Sequence, residues 1–223
     1  MSAIPYRSPQ PDDGLENFLA RIARLTSPRK PRPVVTPSGK RARGNHPSIK
    51  APARSRYESG LELDVLRVAE VSSLVRVIRT HPVVLALPGE KLIHYTPDAL
   101  FEWQTGGMLL ETKASYFLTL ERSRSRLLKI VARLATHGLH LVLIVEDDVH
   151  KPGFQDELEE LLRQRPLVGR YRPRLDSSRW DPLGRSVVDF QLERRWRTAQ
   201  QECDDLLRRV MRRDPGELIA AAR

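Results

Sequence analysis

Three side chains within "IHYTPDALFEWQTGGMLLETK", residues 93–113, have types and spacing that can do chemistry: Asp98, Glu111 and Lys113. The stretch otherwise reads as two short apolar strands joined by a glycine turn. Charges inside strands are costly unless something pairs with them. These three therefore either lie on a solvated face or hold a metal ion. Two carboxylates offer oxygen ligands, which suit a hard cation such as Mg²⁺ or Mn²⁺. An amine beside them can position or deprotonate a water, or stabilise charge on a phosphate. The chain has 7 lysines against 31 arginines, so an amine here is locally unusual. Unlike a guanidinium, it can tune its pKa.

The neighbouring elements must bring these groups together. Asp98 follows Pro97 at a strand start, and Glu111 and Lys113, two apart, share one face of a strand. Thr105–Gly106–Gly107 is a hairpin turn signal that folds the second strand back on the first. Upstream, Ser55 followed by Glu58 forms a capping-box pattern and predicts a helix start. On that helix Glu58 and Glu62 share a face. Glu62 is a third carboxylate within reach, and Glu58 reads as the cap partner only. Gly60 would lie inside the helix at a cost of about 1 kcal/mol relative to Ala.

Strand-like runs follow at 74–79, 83–87, 92–96, 98–103 and 108–113. A helix is predicted over 120–136, with Leu120, Leu127, Leu128, Val131, Leu134 and Ala135 on its apolar face and Gly138 ending it. The continuous apolar run 139–145 predicts a buried strand. The order gives an α/β fold: a mixed β-sheet flanked by helices on both sides. Tyr95, Phe101 and Trp103 read as core or cross-strand packing.

Three regions emerge. Residues 1–56 hold a predicted helix at 15–25 and a Pro-rich basic arm, 57–150 the α/β core, and 151–223 a mostly helical C-terminal region. In the last region, helices are expected at 154–164 and 189–213, separated by an aperiodic Pro- and Arg-rich run. From residue 27 to 56 there is no acid, and Arg29, Lys30, Arg32, Lys40, Arg41, Arg43, Lys50, Arg54 and Arg56 are all positive. Such an arm suits phosphate-backbone contacts. The net charge of +10 also points to a polyanionic partner. A single cysteine, Cys203, excludes internal disulfides and cysteine-based zinc sites. No apolar stretch reaches membrane-spanning length, so no membrane role and a cytoplasmic location are expected.

The pattern Pro97–Asp98 followed by Glu111–Thr112–Lys113 has the form PD-(x)-E-x-K. Together with "GNHPSIK" and "RYESGLELDVL", it resembles the TnsA family, the endonuclease subunit of heteromeric bacterial cut-and-paste transposases. The resemblance spans roughly residues 40–148. It rests on Pro47–Ser48–Ile49–Lys50, Glu58–Ser59–Gly60–Leu61–Glu62, Pro97–Asp98 and Glu111–Thr112–Lys113. The chain has His81–Pro82 where that family has Gln-Pro, and Thr112 where it has an aliphatic residue. The resemblance implies a restriction-endonuclease-like fold and Mg²⁺-dependent hydrolysis of DNA, with Mn²⁺ as a substitute. It places Glu62, Asp98, Glu111 and Lys113 in the catalytic positions. Glu62, Asp98, Glu111 and the Thr112 carbonyl would be the metal ligands. It implies cleavage of the non-transferred strand at the 5′ ends of an element, beside a TnsB-like DDE transposase and a TnsC-like AAA+ ATPase. A stand-alone nuclease of the same fold and a non-catalytic DNA-binding assembly subunit are the competing readings.

Overall fold

The computed structural model describes residues 14–30, 42–164 and 186–222, with only the backbone described for 186–190. Helix α1 (Leu15–Leu25) comes first, followed by a small antiparallel pair, β1 (Gly44–His46) and β2 (Ser55–Tyr57), and helix α2 (Gly60–Val71). Strand β3 (Val77–Thr80) leads to the two-stranded ribbon β4 (Leu85–Leu87) and β5 (Ile93–Tyr95). The hairpin β6 (Ala99–Trp103) and β7 (Gly106–Thr112) precedes α3 (Ser115–Thr119), α4 (Glu121–Thr136) and β8 (Leu141–Ile144). Helices α5 (Glu146–Val149), α6 (Phe154–Gln164), α7 (Ser186–Arg212) and α8 (Pro215–Ala221) complete the chain. The main sheet has the order β3–β6–β7–β8, antiparallel except for the parallel pair β7–β8. The fold is thus mixed α/β, as the element order predicts.

Alternation along the strands separates two apolar layers. Ala99, Phe101, Met108, Leu110, Val142 and Ile144 face α2, α6 and α7. Leu100, Leu109, Leu141 and Leu143 face α1, α4, α8 and the β4–β5 ribbon. The C-terminal helices α6 and α7 therefore bury their apolar stripes in the same core as α2 and the sheet. Among the described residues, no helix is long and apolar enough to cross a membrane.

Several sequence expectations shift once packing is known. Helix α2 begins at Gly60, capped by Ser59, whose Oγ accepts the Glu62 N–H at 3.1 Å. Ser55 instead pairs with His46 in β1–β2, so the Ser55–Glu58 box does not form. Gly60 is the first helical residue, with open space where a Cβ would stand. The first long strand is shorter than expected, Val77–Thr80 instead of 74–79. On α4 the buried residues are Leu127, Ile130 and Leu134, while Leu120 and Leu128 stay exposed.

The hairpin turn lies at Gln104–Thr105, because Trp103 pairs directly with Gly106. Both glycines belong to β7. A Cβ on Gly107 would collide with Phe18 Cε1, so this glycine is needed for the close approach of α1 and not for a turn. The basic arm is folded from Gly44 onward. Lys50 Nζ donates to the carbonyls of Ala69 and Ser72 at the end of α2, the usual place for a cation on a helix terminus.

Candidate active site

The register of the hairpin creates the site. Ala99 opposes Leu110, so one step further out Asp98 meets Glu111 at the open end of the sheet. Thr112 completes the link: its N–H and hydroxyl both donate to Asp98 Oδ2, at 2.8 and 2.9 Å. Lys113 Nζ lies 2.6 Å from Glu111 Oε1. The other oxygen of Glu111 accepts from the Tyr95 hydroxyl at 2.7 Å. The Lys113 N–H donates to the Ile144 carbonyl, which holds the strand end on β8.

Glu62 reaches the same place from α2. Its Oε2 accepts the Glu58 N–H at 2.8 Å and its Oε1 accepts the Ser59 hydroxyl at 3.0 Å. Both bonds tie the carboxylate to the residues just before the helix, so Glu62 braces the helix start and is presented to the site. Arg56, Glu62, Thr80, Asp98 and Thr112 line a recess of about 10 Å³, room for about one water-sized sphere.

The electrostatics show an excess of negative charge. Burial, then the nearby Glu62 charge, push Asp98 up to about 6. Burial, then Asp98, push Glu111 up to about 7, against the pull of Lys113 and the Tyr95 hydrogen bond. Burial raises Glu62 as well. Burial works to lower Lys113, but Glu111, Asp98 and Glu62 together outweigh it and its pKa rises. Tyr95 is raised by burial and by the Glu111 and Asp98 charges. Three carboxylates thus share one ammonium, a donor set whose chemistry fits a hard divalent cation. Among the described residues, no three His, Cys, Asp or Glu side chains already stand together at metal-holding spacing.

Two residues outside the sequence-derived set belong here. His81 occupies a positive φ of 46°, rare for a side chain other than glycine. Its N–H donates to the Asp98 carbonyl at 2.9 Å, fixing the residue beside the hairpin end. Its Nε2 lies 3.8 Å from Glu62 Oε2, beyond hydrogen-bond length, and its buried Nδ1 has no partner among the described residues. Burial holds this imidazole below its ordinary value. The available signal is its place directly before Pro82, where a helical backbone is already disfavoured. Tyr95, read from sequence as packing, is the second.

Of the basic arm, Arg29, Lys30, Arg54 and Arg56 are exposed, and Arg56 borders the recess. Arg43 is half-buried and engaged, and Lys50 is committed to α2, so neither is available as a free phosphate contact. Arg32, Lys40 and Arg41 lie outside the described residues. A separate cavity of about 650 Å³ sits at the opposite, turn end of the β6–β7 hairpin, lined by Leu74, Trp103, Met108, Leu207 and Met211. No protein-family model matches the chain, and no curated protein matches it in sequence.

Proposed function

We propose that this chain is a metal-dependent DNA endonuclease, and that it serves as the strand-cutting subunit of a cut-and-paste transposase similar to the TnsA family. The observation that carries the reading is the meeting of Asp98, Glu111 and Lys113 at one end of the hairpin, with Glu62 brought alongside by α2. The β3–β6–β7–β8 sheet, with α2 on one face and α4 on the other, supports a restriction-endonuclease-like fold. The net charge of +10 supports a nucleic-acid substrate.

Asp98 and Glu111 would hold Mg²⁺ or Mn²⁺, with Glu62 and the Thr112 carbonyl as further ligands. When bound, the ion would supply charge stabilisation to the phosphate and the leaving oxygen. The protein's own groups do the rest. Lys113, whose pKa the carboxylates raise, stays protonated at neutral pH. It therefore acts as a donor that orients the attacking water and offsets phosphate charge, and not as the base. Tyr95 fixes Glu111 from the far side. The partners in this reading are transposon-end DNA, a TnsB-like DDE transposase and a TnsC-like AAA+ ATPase.

The test is strand-specific nicking of duplex DNA by the purified full chain with Mg²⁺ or Mn²⁺, alone and with a DDE transposase encoded beside it. Partner-dependent cutting at the 5′ ends of the element, lost in Lys113→Ala, supports the transposase subunit. Cutting at full rate without a partner replaces it with a stand-alone nuclease. Absence of cutting under either condition, with DNA binding retained, replaces it with an assembly subunit.

A further inference from the structure

The chain turns directly from the site into the most exposed large apolar side chain among the described residues, Tyr116. Lys113 ends the acid-x-Lys strand, and Tyr116 and Phe117 follow three and four residues later on α3. Tyr116 is 66% exposed and Phe117 37%. The two rings meet edge to face with centroids 5.7 Å apart, so Phe117 braces Tyr116 while leaving its face to solvent. Leu120 and Leu128 extend the exposed apolar surface. Large exposed aromatics of this sort mark a contact surface. The segment is held in place: the Ser115 N–H donates to Glu146 Oε2 at 2.7 Å, and Leu118 on α3 is buried in the core.

The charge beside it identifies the partner. Arg122, Arg126 and Lys129 recur at steps of four and three on α4, so they share one face, and all three are exposed. None of them has an acidic partner among the described residues. Other exposed arginines are ion-paired, such as Arg195 with Glu157 and Arg208 with Asp205. Helix α4 follows α3 after a single residue, so the stripe continues the same run of chain that leaves the site at Lys113. Unpaired cations in a row beside an exposed aromatic face fit a nucleic-acid strand: phosphates on the cations, a base on the ring. A protein partner would have to bring acids to meet these three cations.

We infer that α3 and the adjoining face of α4 form a strand-binding surface in which Tyr116 stacks on an unpaired base beside the scissile phosphate while Arg122, Arg126 and Lys129 hold the backbone. This rests on the nuclease reading and deepens it. The preferred substrate is DNA opened or distorted at the cut, because a base inside a regular duplex does not offer its face.

The test compares binding of the full chain to a short fluorescent duplex, to the same duplex with an unpaired bubble, and to its single strand, by anisotropy without divalent metal. The wild type should prefer the bubble and the single strand. Tyr116→Ala should remove that preference, about tenfold in affinity, with duplex binding little changed, and Tyr116→Phe should restore it. Replacing Arg122, Arg126 and Lys129 together by alanine should weaken binding to all three and lower the salt slope by about 2 to 3. Equal effects of Tyr116→Ala on all three substrates, or none on any, would overturn the inference. Nicking by the wild type in parallel separates the two readings. Cutting with no bubble preference sinks this inference alone, whereas neither binding nor cutting of any DNA sinks both.

Discussion

Asp204 and the pair Asp98–Glu111 are both acids inside the fold, and their surroundings treat them in opposite ways. Asp204 lies on α7 and accepts from the Ser72 hydroxyl at 2.6 Å, the Ser73 N–H at 2.8 Å and the Ser73 hydroxyl. It closes the turn after α2 onto the C-terminal helix. Asp148 is treated alike: both arms of the Arg213 guanidinium and the Val145 N–H donate to it. Glu70 takes the Ser48 hydroxyl and the Ile49 N–H. Each of these acids is a joint, supplied with donors from a second element. At the hairpin end, three carboxylates compete for one ammonium; burial raises all three, Glu62 adds to the rise of Asp98, and Asp98 to that of Glu111. The joints are complete as built, whereas the site is short of positive charge. That shortage is what a bound divalent cation would offset, and a phosphate could approach only after it.

The largest expected effect tests that contrast on activity. Asp98→Asn should cut nicking on the order of a thousandfold, since it removes a charge aimed at the reacting centre. The same variant should melt no lower than wild type without metal, because it removes a repelled carboxylate. Asp204→Ala should do the reverse. It strands the donors of Ser72 and Ser73 and should cost about 3 kcal/mol in a denaturant titration, with nicking per folded molecule retained. If Asp98→Asn destabilised the chain as Asp204→Ala does, Asp98 would be another joint and the contrast would be lost.

The next effect is on stability against pH. Asp98 and Glu111 bind protons more tightly folded, at about 6 and about 7, than at their ordinary 3.8 and 4.5. The folded chain therefore holds more protons than the unfolded chain between those values. Stability should be greatest below about 4 with respect to these two groups, and should fall as pH rises to about 7. Glu111→Gln should flatten that fall. Added Mg²⁺ should reverse it above pH 7 by binding the folded state, and should lose its effect in Asp98→Asn. A metal-free melting temperature that stays level across the range would show that the site is not short of positive charge.

Much of this site can be read from local pattern, and the failures share one cause. The two apolar runs and the spacing of Glu111 and Lys113 predict a hairpin with its charges at one end, and β6–β7 has that form. The glycines read locally as a turn, but the role of Gly107 is set by Phe18, far earlier in the chain. Of two consecutive Ser-x-x-Glu runs, Ser59–Glu62 forms the cap because Ser55 is taken by a strand pair that local sequence does not reveal. Lys50 reads as one more arm cation, yet α2 ends on it. His81 carries no periodic signal at all, since a positive φ in a histidine is imposed by its surroundings. The missed features are all long-range, where tertiary contact overrides local propensity.

The smallest expected effect comes from Tyr95, and it bears most directly on how the deficit is set. Its hydroxyl is one of two donors to Glu111, and it opposes burial by favouring the charged carboxylate. Tyr95→Phe keeps the ring in the core and removes only that bond, at a cost of about 1 to 2 kcal/mol when Glu111 is ionised. The cost should vanish when Glu111 is protonated. Tyr95→Phe should therefore match wild type at low pH and fall progressively below it through and above pH 7, so that the window of lost stability extends upward. Glu111→Gln should erase the difference, because the amide no longer demands a charge-favouring donor. A Tyr95→Phe loss that is the same at every pH, or that persists in the Glu111→Gln background, would assign Tyr95 to packing alone. Lys113 would then be the sole compensation for the site, and the contrast with the well-supplied joints would be sharper still.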